Sequence, residues 1–301
     1  QRIELVSVLT PNALHFGAVS ELLKAGFHIV CEKPITTTLE EAESLAQLMA
    51  SSDQAFAVAH TYTGYPMVRQ LRQMIQAGVI GQIQKIDAQY YQGWVNEVLH
   101  DEESRQSVWR LKPALAGPSC CFGDIGVHAF NLVEFTTGLR IQQVLAETDT
   151  FNSGNSLDVD GTALFKTACG VRGLIRASQI ATGEENNLSI AIYGRLGALK
   201  WSHENPSQLI FLPSNAPRQI LTPGHPYLAE LATASSTLPP GHPEGLFDAL
   251  GNIYFAVAQK ISGRQYDPAA FPGIDEGVRG ISFIDAVLRS NNQMQQWVKL
   301  K

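Results

Sequence analysis

Apolar residues at the start of the chain fall into short runs separated by stretches of helical spacing. Residues 3–9 form an apolar run that ends in Thr10-Pro11-Asn12, and residues 13–25 follow a helical pattern that Gly26 stops as a C-terminal cap. A second apolar run, residues 29–31, delivers Glu32-Lys33-Pro34 at its carboxyl end. Strand, helix and strand within so few residues require a parallel crossover. Ligands of open parallel sheets sit outside the carboxyl ends of the strands, so both polar tips face one crevice. A lysine therefore stands where a cofactor would lie. Thr38 and Glu41 make a capping box for a helix that carries Leu39, Ala42, Leu45, Ala46 and Met49 on one face. Residues 55–62 read as the last strand of this unit. Residues 65–77 read as a helix, with Val68, Leu71, Met74 and Ile75 in register and Gly78 ending it.

Beyond Gly78 the period changes. Residues 83–91, 143–151, 161–167, 171–180, 188–193, 198–201 and 208–212 all read as strands. Joints such as Ala168-Cys169-Gly170 are too short for a crossover, so one broad, largely antiparallel sheet is expected. Residues 244–261 and 275–289 are expected helices, and 222–243, rich in Pro, Gly and Ser, a long surface loop. The predicted division has three parts. Residues 1–62 form a nucleotide-binding unit, 63–273 a domain for substrate and oligomerisation, and 274–301 a helix and tail that return to the first unit.

Composition narrows the picture only a little. The 301 residues suffice for one large or two medium domains. A formal net charge of -6 and dispersed lysines and arginines argue against a polyanion-binding surface, so neither nucleic acid nor an anionic membrane is an expected partner. No apolar stretch has the length to span a bilayer. The four cysteines, Cys31, Cys120, Cys121 and Cys169, lack zinc-ligand spacing, and no metal is expected. Adjacent Cys120 and Cys121 make a poor disulfide framework, which points to a reducing, cytoplasmic setting. The chain opens almost directly in a strand, so a preceding segment, with any targeting signal it carried, is expected to be missing from this sequence.

A second concentration of chemistry runs from Gly117 to Phe135. Small residues lead into Asp124, where a helical pattern begins, and His128 follows four residues later on the same helical face. Peptide dipoles at a helix start lower the pKa of a histidine, and a neighbouring carboxylate raises it. Their opposition predicts an imidazole that accepts and returns a proton near neutral pH. Alone, the segment reads better as a capping Asp124 and a surface His128. A lysine at the sheet crevice reverses that preference.

Taken in chain order, the motifs resemble one family. They are Thr10-Pro11-Asn12 with His15, then Ala25-Gly26-x-His28-x-Val30-x-Glu32-Lys33-Pro34, then Trp109-Arg110-x-x-Pro113-x-x-Ala116-Gly117. Asp124-Ile-Gly126-Val-His128 and Gly241-His242-Pro243-Glu244-Gly245 complete the set. Together they resemble the Gfo/Idh/MocA family, the glucose-fructose oxidoreductase and inositol dehydrogenase group. The resemblance implies an α/β Rossmann-type nucleotide-binding domain, incomplete at its N-terminus, plus an α+β domain with a large, mainly antiparallel open sheet. One departure stands out: no GxGxxG precedes a helix in this sequence.

The same resemblance implies hydride transfer between a sugar, inositol or related polyol and NAD or NADP. It assigns Lys33 to the reacting oxygen, His128 to its proton, and Asp124 to orienting the substrate or holding the tautomer of His128. Thr10, Pro11, Asn12, His15, Glu32, Lys33 and Pro34 would border the cofactor. The Lys33-Pro34 bond is expected to be trans, with cis as the alternative at a tight strand-end turn. A homodimer or homotetramer built on the free sheet face is also implied. Candidate substrate contacts are Tyr62, Trp94, Trp109, Arg110, Asp124 and His242. Aromatic faces stack on sugar C–H surfaces and Arg110 can bond adjacent hydroxyls, although each residue has a plainer reading in core or surface. Trp94 and Trp109 flank a polar segment, 96–107, expected to loop over the second sheet. Two other activities fit these motifs. One is an NAD-dependent glycoside hydrolase that regenerates its nicotinamide each cycle. The other is a non-catalytic sensor, which the presence of both Lys33 and His128 disfavours.

Overall fold

The computed structural model describes residues 3–99, 101–151 and 156–301, with the backbone alone at 105–107. Its first layer is a parallel sheet. β1 (Leu5–Val8), α1 (His15–Lys24), β2 (His28–Cys31), α2 (Leu39–Ala50) and β3 (Phe56–Val58) alternate along the chain, and the strands lie in the order β1-β2-β3. Val6 pairs with Ile29, and Ile29 with Phe56. Ile29, Val30 and Cys31 are all buried, as a strand covered on both faces requires. Thr38 accepts from the Glu41 amide at 3.3 Å, while the Glu41 carboxylate reaches back to Thr37, one residue earlier than a capping box requires.

β3 ends at Val58, and the chain turns into a 3-10 segment, Thr61–Gly64, in place of a strand continuing to Tyr62. Gly64 is the reason the turn fits. A Cβ at this position would lie 1.9 Å from the Ala249 carbonyl oxygen, so a late helix lies directly on the turn. α3 (Pro66–Gln76) follows with proline at its start.

The second layer runs from β4 (Ile83–Tyr91) through α4 (Trp94–Leu99), α5 (Glu102–Ser107), α6 (Pro113–Ala116) and α7 (Val127–Thr137). β5 (Ile141–Asp149), β6 (Asp160–Thr167), β7 (Arg172–Ser178), β8 (Asn187–Gly194), β9 (Gly197–Ser202), β10 (Leu209–Pro213) and β11 (Gln219–Leu221) come next. The chain closes with α8 (Glu230–Thr233), α9 (Leu246–Ile261), α10 (Ile274–Asn292) and β12 (Val298–Lys299). Nine strands take the order β11-β10-β9-β8-β4-β7-β6-β5-β12. Pairing is antiparallel except between β4 and β7 at the centre, which run parallel from Lys85–Arg172 to Tyr91–Ser178. Both central strands therefore end side by side, and the Gln92 amide donates to the Ser178 carbonyl at 2.8 Å.

Alternation along each strand sets the faces. Ala163 and Phe165 of β6 point into the core and Leu164 outward. α7 lies beneath the sheet, buried from Val127 to Glu134. α10 joins the two layers: Phe283 stacks on Phe130 at 4.4 Å, while Ile281 and Ile284 pack with Val8, Ile29 and Val127. The carboxyl end of β2 is thus held over the start of α7.

Several expectations are revised. Residues 96–107 carry most of α4 and all of α5 instead of a loop, and His100 within them lies outside the described residues. The stretch 222–243 contains one helical turn, α8. The Lys33-Pro34 bond is cis. The cysteine reading is unchanged, and all four are free thiols. No helix among the described residues is long and apolar enough to cross a membrane.

Candidate active site

The tips of β1 and β2 form one rim of a crevice, and their polar residues divide into those that face it and those that build it. Thr10 is exposed and Pro11 half-buried, with a 3-10 turn, Asn12–Leu14, leading into α1. Asn12 is buried and donates to the Ala116 carbonyl at 3.0 Å, which fastens the rim to the second layer. His15 is fully buried, its ring nitrogens 2.8 Å from the carbonyl oxygens of Thr10 and Pro34. It ties the two tips together from behind. The structure thus places this expected cofactor-site residue in the wall between the two tips. Glu32 accepts from the Lys33 amide at 3.2 Å, and its side chain remains half-buried at the rim.

Lys33 reaches from the end of β2 to the turn that precedes α7. Its Nζ lies 2.7 Å from Asp124 Oδ1 and also donates to the Asp124 carbonyl. Arg110 Nε stands 3.3 Å from the same carboxylate oxygen, and Gln179 Nε2 donates to the other at 3.0 Å. Burial pushes the Asp124 carboxyl upward, but the Lys33 ammonium and the Arg110 guanidinium outweigh it, and the net pKa lies below the ordinary carboxylate value. Asp124 does not cap α7. It sits in a π-helical turn, Phe122–Gly126, that feeds α7, a local widening common at functional sites.

A buried carboxylate anchors this turn. Asp158 accepts from the amides of Cys120 at 2.9 Å and Phe122 at 2.8 Å, and from the Ser119 hydroxyl at 3.0 Å. Burial raises its carboxyl pKa against the pull of those donors.

His128, in the first turn of α7, is buried and makes no hydrogen bond with Asp124. Its Nδ1 lies 3.4 Å from Nδ1 of His60, and its ring meets the edge of Tyr62 with centroids 5.0 Å apart. Burial, the Lys33 charge and His60 all pull the His128 pKa down, leaving it well below the usual histidine value. The expected balance near neutrality fails because the carboxylate meant to raise it is spent on Lys33.

Tyr62 bonds the Tyr90 hydroxyl and receives Asn186 Nδ2 at 3.2 Å. Asn186 also meets Gln92 and His203, and His203 reaches Tyr65 at 3.1 Å. Burial raises the pKa of both Tyr62 and Tyr90, so these phenols remain neutral donors and acceptors. The Arg110 guanidinium lies over the Trp109 ring at 4.6 Å, which brings Trp109 to the crevice through Arg110. Trp94 donates to Gln92 at 3.0 Å and packs in the cluster under α4 and α6. His242 does not join the group. It is exposed, with Nδ1 3.2 Å from the Pro239 carbonyl. The side chains of His60, Tyr90, Asn186, Gln179 and Asp158 were not expected from the sequence.

No cluster of three or more metal-ligating groups occurs among the described residues. The site fits the nicotinamide end of a dinucleotide: a cation and a buried neutral imidazole border the carboxyl ends of parallel strands, where such cofactors bind. The glycine-rich turn that would hold a diphosphate is absent from the sequence.

Comparison with known proteins gives two family matches. Residues 1–60 match an oxidoreductase family model described as an NAD-binding Rossmann fold, and residues 68–200 match a GFO/IDH/MocA C-terminal domain. An uncharacterised oxidoreductase of Bacillus subtilis, YfiI, is 32% identical over 99% of this chain and 78% of its own. A levoglucosan dehydrogenase of Pseudarthrobacter phenanthrenivorans is 28% identical over 75% of this chain and 64% of its own. An inositol dehydrogenase homologue from Azotobacter vinelandii, solved with NADH and myo-inositol, is 32% identical. It covers 99% of this chain and 78% of its own, with a TM-score of 0.88.

Proposed function

We propose, from the premise that this chain belongs to the Gfo/Idh/MocA family of NAD-binding oxidoreductases, that it is a dehydrogenase of a sugar, inositol or related polyol. The approach of Lys33, from the end of β2, to the π-helical turn that leads into His128 carries this reading. When bound, NAD or NADP supplies the hydride acceptor for a CH–OH carbon. His128 takes the hydroxyl proton at Nε2, because its Nδ1 already faces His60. Lys33 donates a hydrogen bond to the reacting oxygen and stabilises the developing alkoxide. Asp124 holds the Lys33 ammonium in place and, with Arg110, meets the neighbouring hydroxyl. Tyr62, Tyr90 and Asn186 offer neutral groups to the rest of a polyol. A positioned base of this kind contributes roughly 10² to 10⁴ in rate.

The relatives direct the choice of substrates to test, with myo-inositol and levoglucosan first in a panel of sugars and polyols. Accumulation of reduced nicotinamide, from NAD or NADP, on adding one of them supports the proposal. Release of an aglycone without net cofactor reduction would assign glycoside cleavage instead. No reduction across the panel with either cofactor refutes the dehydrogenase.

The outer face of the nine-stranded sheet, with Leu164 and Ile220 exposed, suits packing against a second copy. Light scattering that returns a monomer would refute that part. The four free thiols suit a reducing, cytoplasmic setting.

A further inference from the structure

The pair His60 and His128 carries an inference beyond the three motif residues. Their rings stand edge to face, with centroids 5.3 Å apart, planes at 83° and the two Nδ1 atoms 3.4 Å apart. Both are buried, at 2% and 8% exposure. A contact between two such nitrogens is a hydrogen bond only when one carries the proton and the other the lone pair. The tautomers of the two rings are therefore linked. For His128 to take a proton at Nε2, that nitrogen must begin bare, which puts its single proton on Nδ1. After the transfer both nitrogens carry protons, and Nδ1–H is still present. In either state the atom across from it must be an acceptor.

We propose that His60 is a positioning residue whose Nδ1 accepts the Nδ1–H of His128, fixing the tautomer that leaves Nε2 open to the substrate hydroxyl. It also stabilises the imidazolium formed when that proton arrives. The inference rests on the dehydrogenase reading. The proton step balances within the site: the substrate O–H bond breaks, an N–H bond forms at Nε2 of His128, and His60 keeps its own proton on Nε2.

The surroundings explain why an imidazole holds this place. The charged and titratable groups facing His60 are Lys33 from the end of β2 and His128 from α7, and Tyr62, on the turn after His60, meets the other side of the pair at His128. Burial and the Lys33 charge hold the His60 pKa down at about 3, so it remains a neutral acceptor at any ordinary pH. A carboxylate there would compete with Asp124 for the Lys33 ammonium. A neutral ring orients His128 and leaves the ion pair intact. The 3.4 Å separation is long, and such catalytic hydrogen bonds shorten when substrate is bound.

Two variants and one spectroscopic measurement test this. His60→Ala removes the acceptor, and His60→Asn places an amide oxygen near the position of Nδ1. With a substrate found as above, His60→Ala is expected to lose at least about tenfold in kcat with KM and thermal midpoint little changed, while His60→Asn recovers most of the rate. Nitrogen NMR of the labelled imidazoles is expected to show His128 protonated at Nδ1 in the parent and shifted toward Nε2–H in His60→Ala. Equal losses in both variants with a lowered thermal midpoint would assign His60 to packing and overturn the proposal. So would an Nε2–H tautomer at His128 in the parent. The NMR arm needs no substrate, so absence of turnover in the parent strikes the dehydrogenase reading alone.

Discussion

Replacing Lys33 with methionine keeps most of the side-chain length and deletes the charge that organises the site. The Lys33 and Asp124 side chains are only 11% and 18% exposed. Breaking a buried pair from one side costs about 3–5 kcal/mol, because the remaining charge is left without its partner. Arg110, half-exposed and 3.3 Å from the same oxygen, stays in place, which sets the expected loss near the lower end, about 3 kcal/mol. Removing the hydrogen-bond donor to the reacting oxygen is expected to cost roughly 10²–10³ in kcat.

The pH dependence has a definite sign. The folded-state pKa of Asp124 is depressed below its unfolded value of about 4, so its contribution is present above that value and is lost as pH falls through the folded pKa. Without the ammonium, burial dominates, and acid destabilisation begins at a higher pH than in the parent. Chemical denaturation and thermal melts across the acid range, with initial rates beside them, read all three effects. The double variant Lys33→Met with Asp124→Asn is expected to recover much of the stability and none of the activity. A Lys33→Met protein as stable as the parent would refute the reasoning. So would a double variant no more stable than the single one.

Other perturbations test separate links. His128→Gln is expected to lose roughly 10² to 10⁴ in kcat at nearly parental stability, measured by initial rates and thermal melts. In the parent, the acid limb of kcat/KM for alcohol oxidation is expected below the ordinary histidine pKa of about 6.5, because burial and Lys33 keep His128 deprotonated; a limb at or above that value would contradict the assignment. Asp158→Asn keeps one acceptor oxygen and puts an NH2 in place of the other, against the backbone amide of either Cys120 or Phe122, so a loss of about 1–3 kcal/mol in denaturation and a drop in turnover are expected together. Gly64→Ala drives a Cβ to within 1.9 Å of the Ala249 carbonyl oxygen, and a fall of about 1–3 kcal/mol in stability is expected, read by the same denaturation.

What could be read from the sequence was local. A lysine at the end of an apolar run, a helix stop at Gly26 and the strand over 161–167 each depend on neighbours a few residues away, and the structure has them where the pattern put them. The helical face shared by Asp124 and His128 misled, because a π-helical turn changes the residue spacing and sends Asp124 toward Lys33 and Gln179. The remaining site residues depend on contacts far apart in sequence. His60 lies inside an apolar run where a histidine looks like an ordinary strand position, and its partner is 68 residues later. Gln179 and Gln92 meet the site because β4 and β7 run parallel, a pairing between strands that are not consecutive in the chain. No local period encodes that register. Asn12 and His15 were found, but their buried hydrogen-bond partners were not, since a motif gives a residue's place in the chain and not which way its side chain turns.

The most direct measurement is a crystal structure of the chain with reduced nicotinamide and a substrate identified by turnover. The account predicts the reacting oxygen within hydrogen-bonding distance of both Lys33 Nζ and His128 Nε2, with the carbinol carbon against the nicotinamide ring. A substrate whose reacting oxygen meets neither group, or a nicotinamide bound away from the ends of β1 and β2, would contradict it.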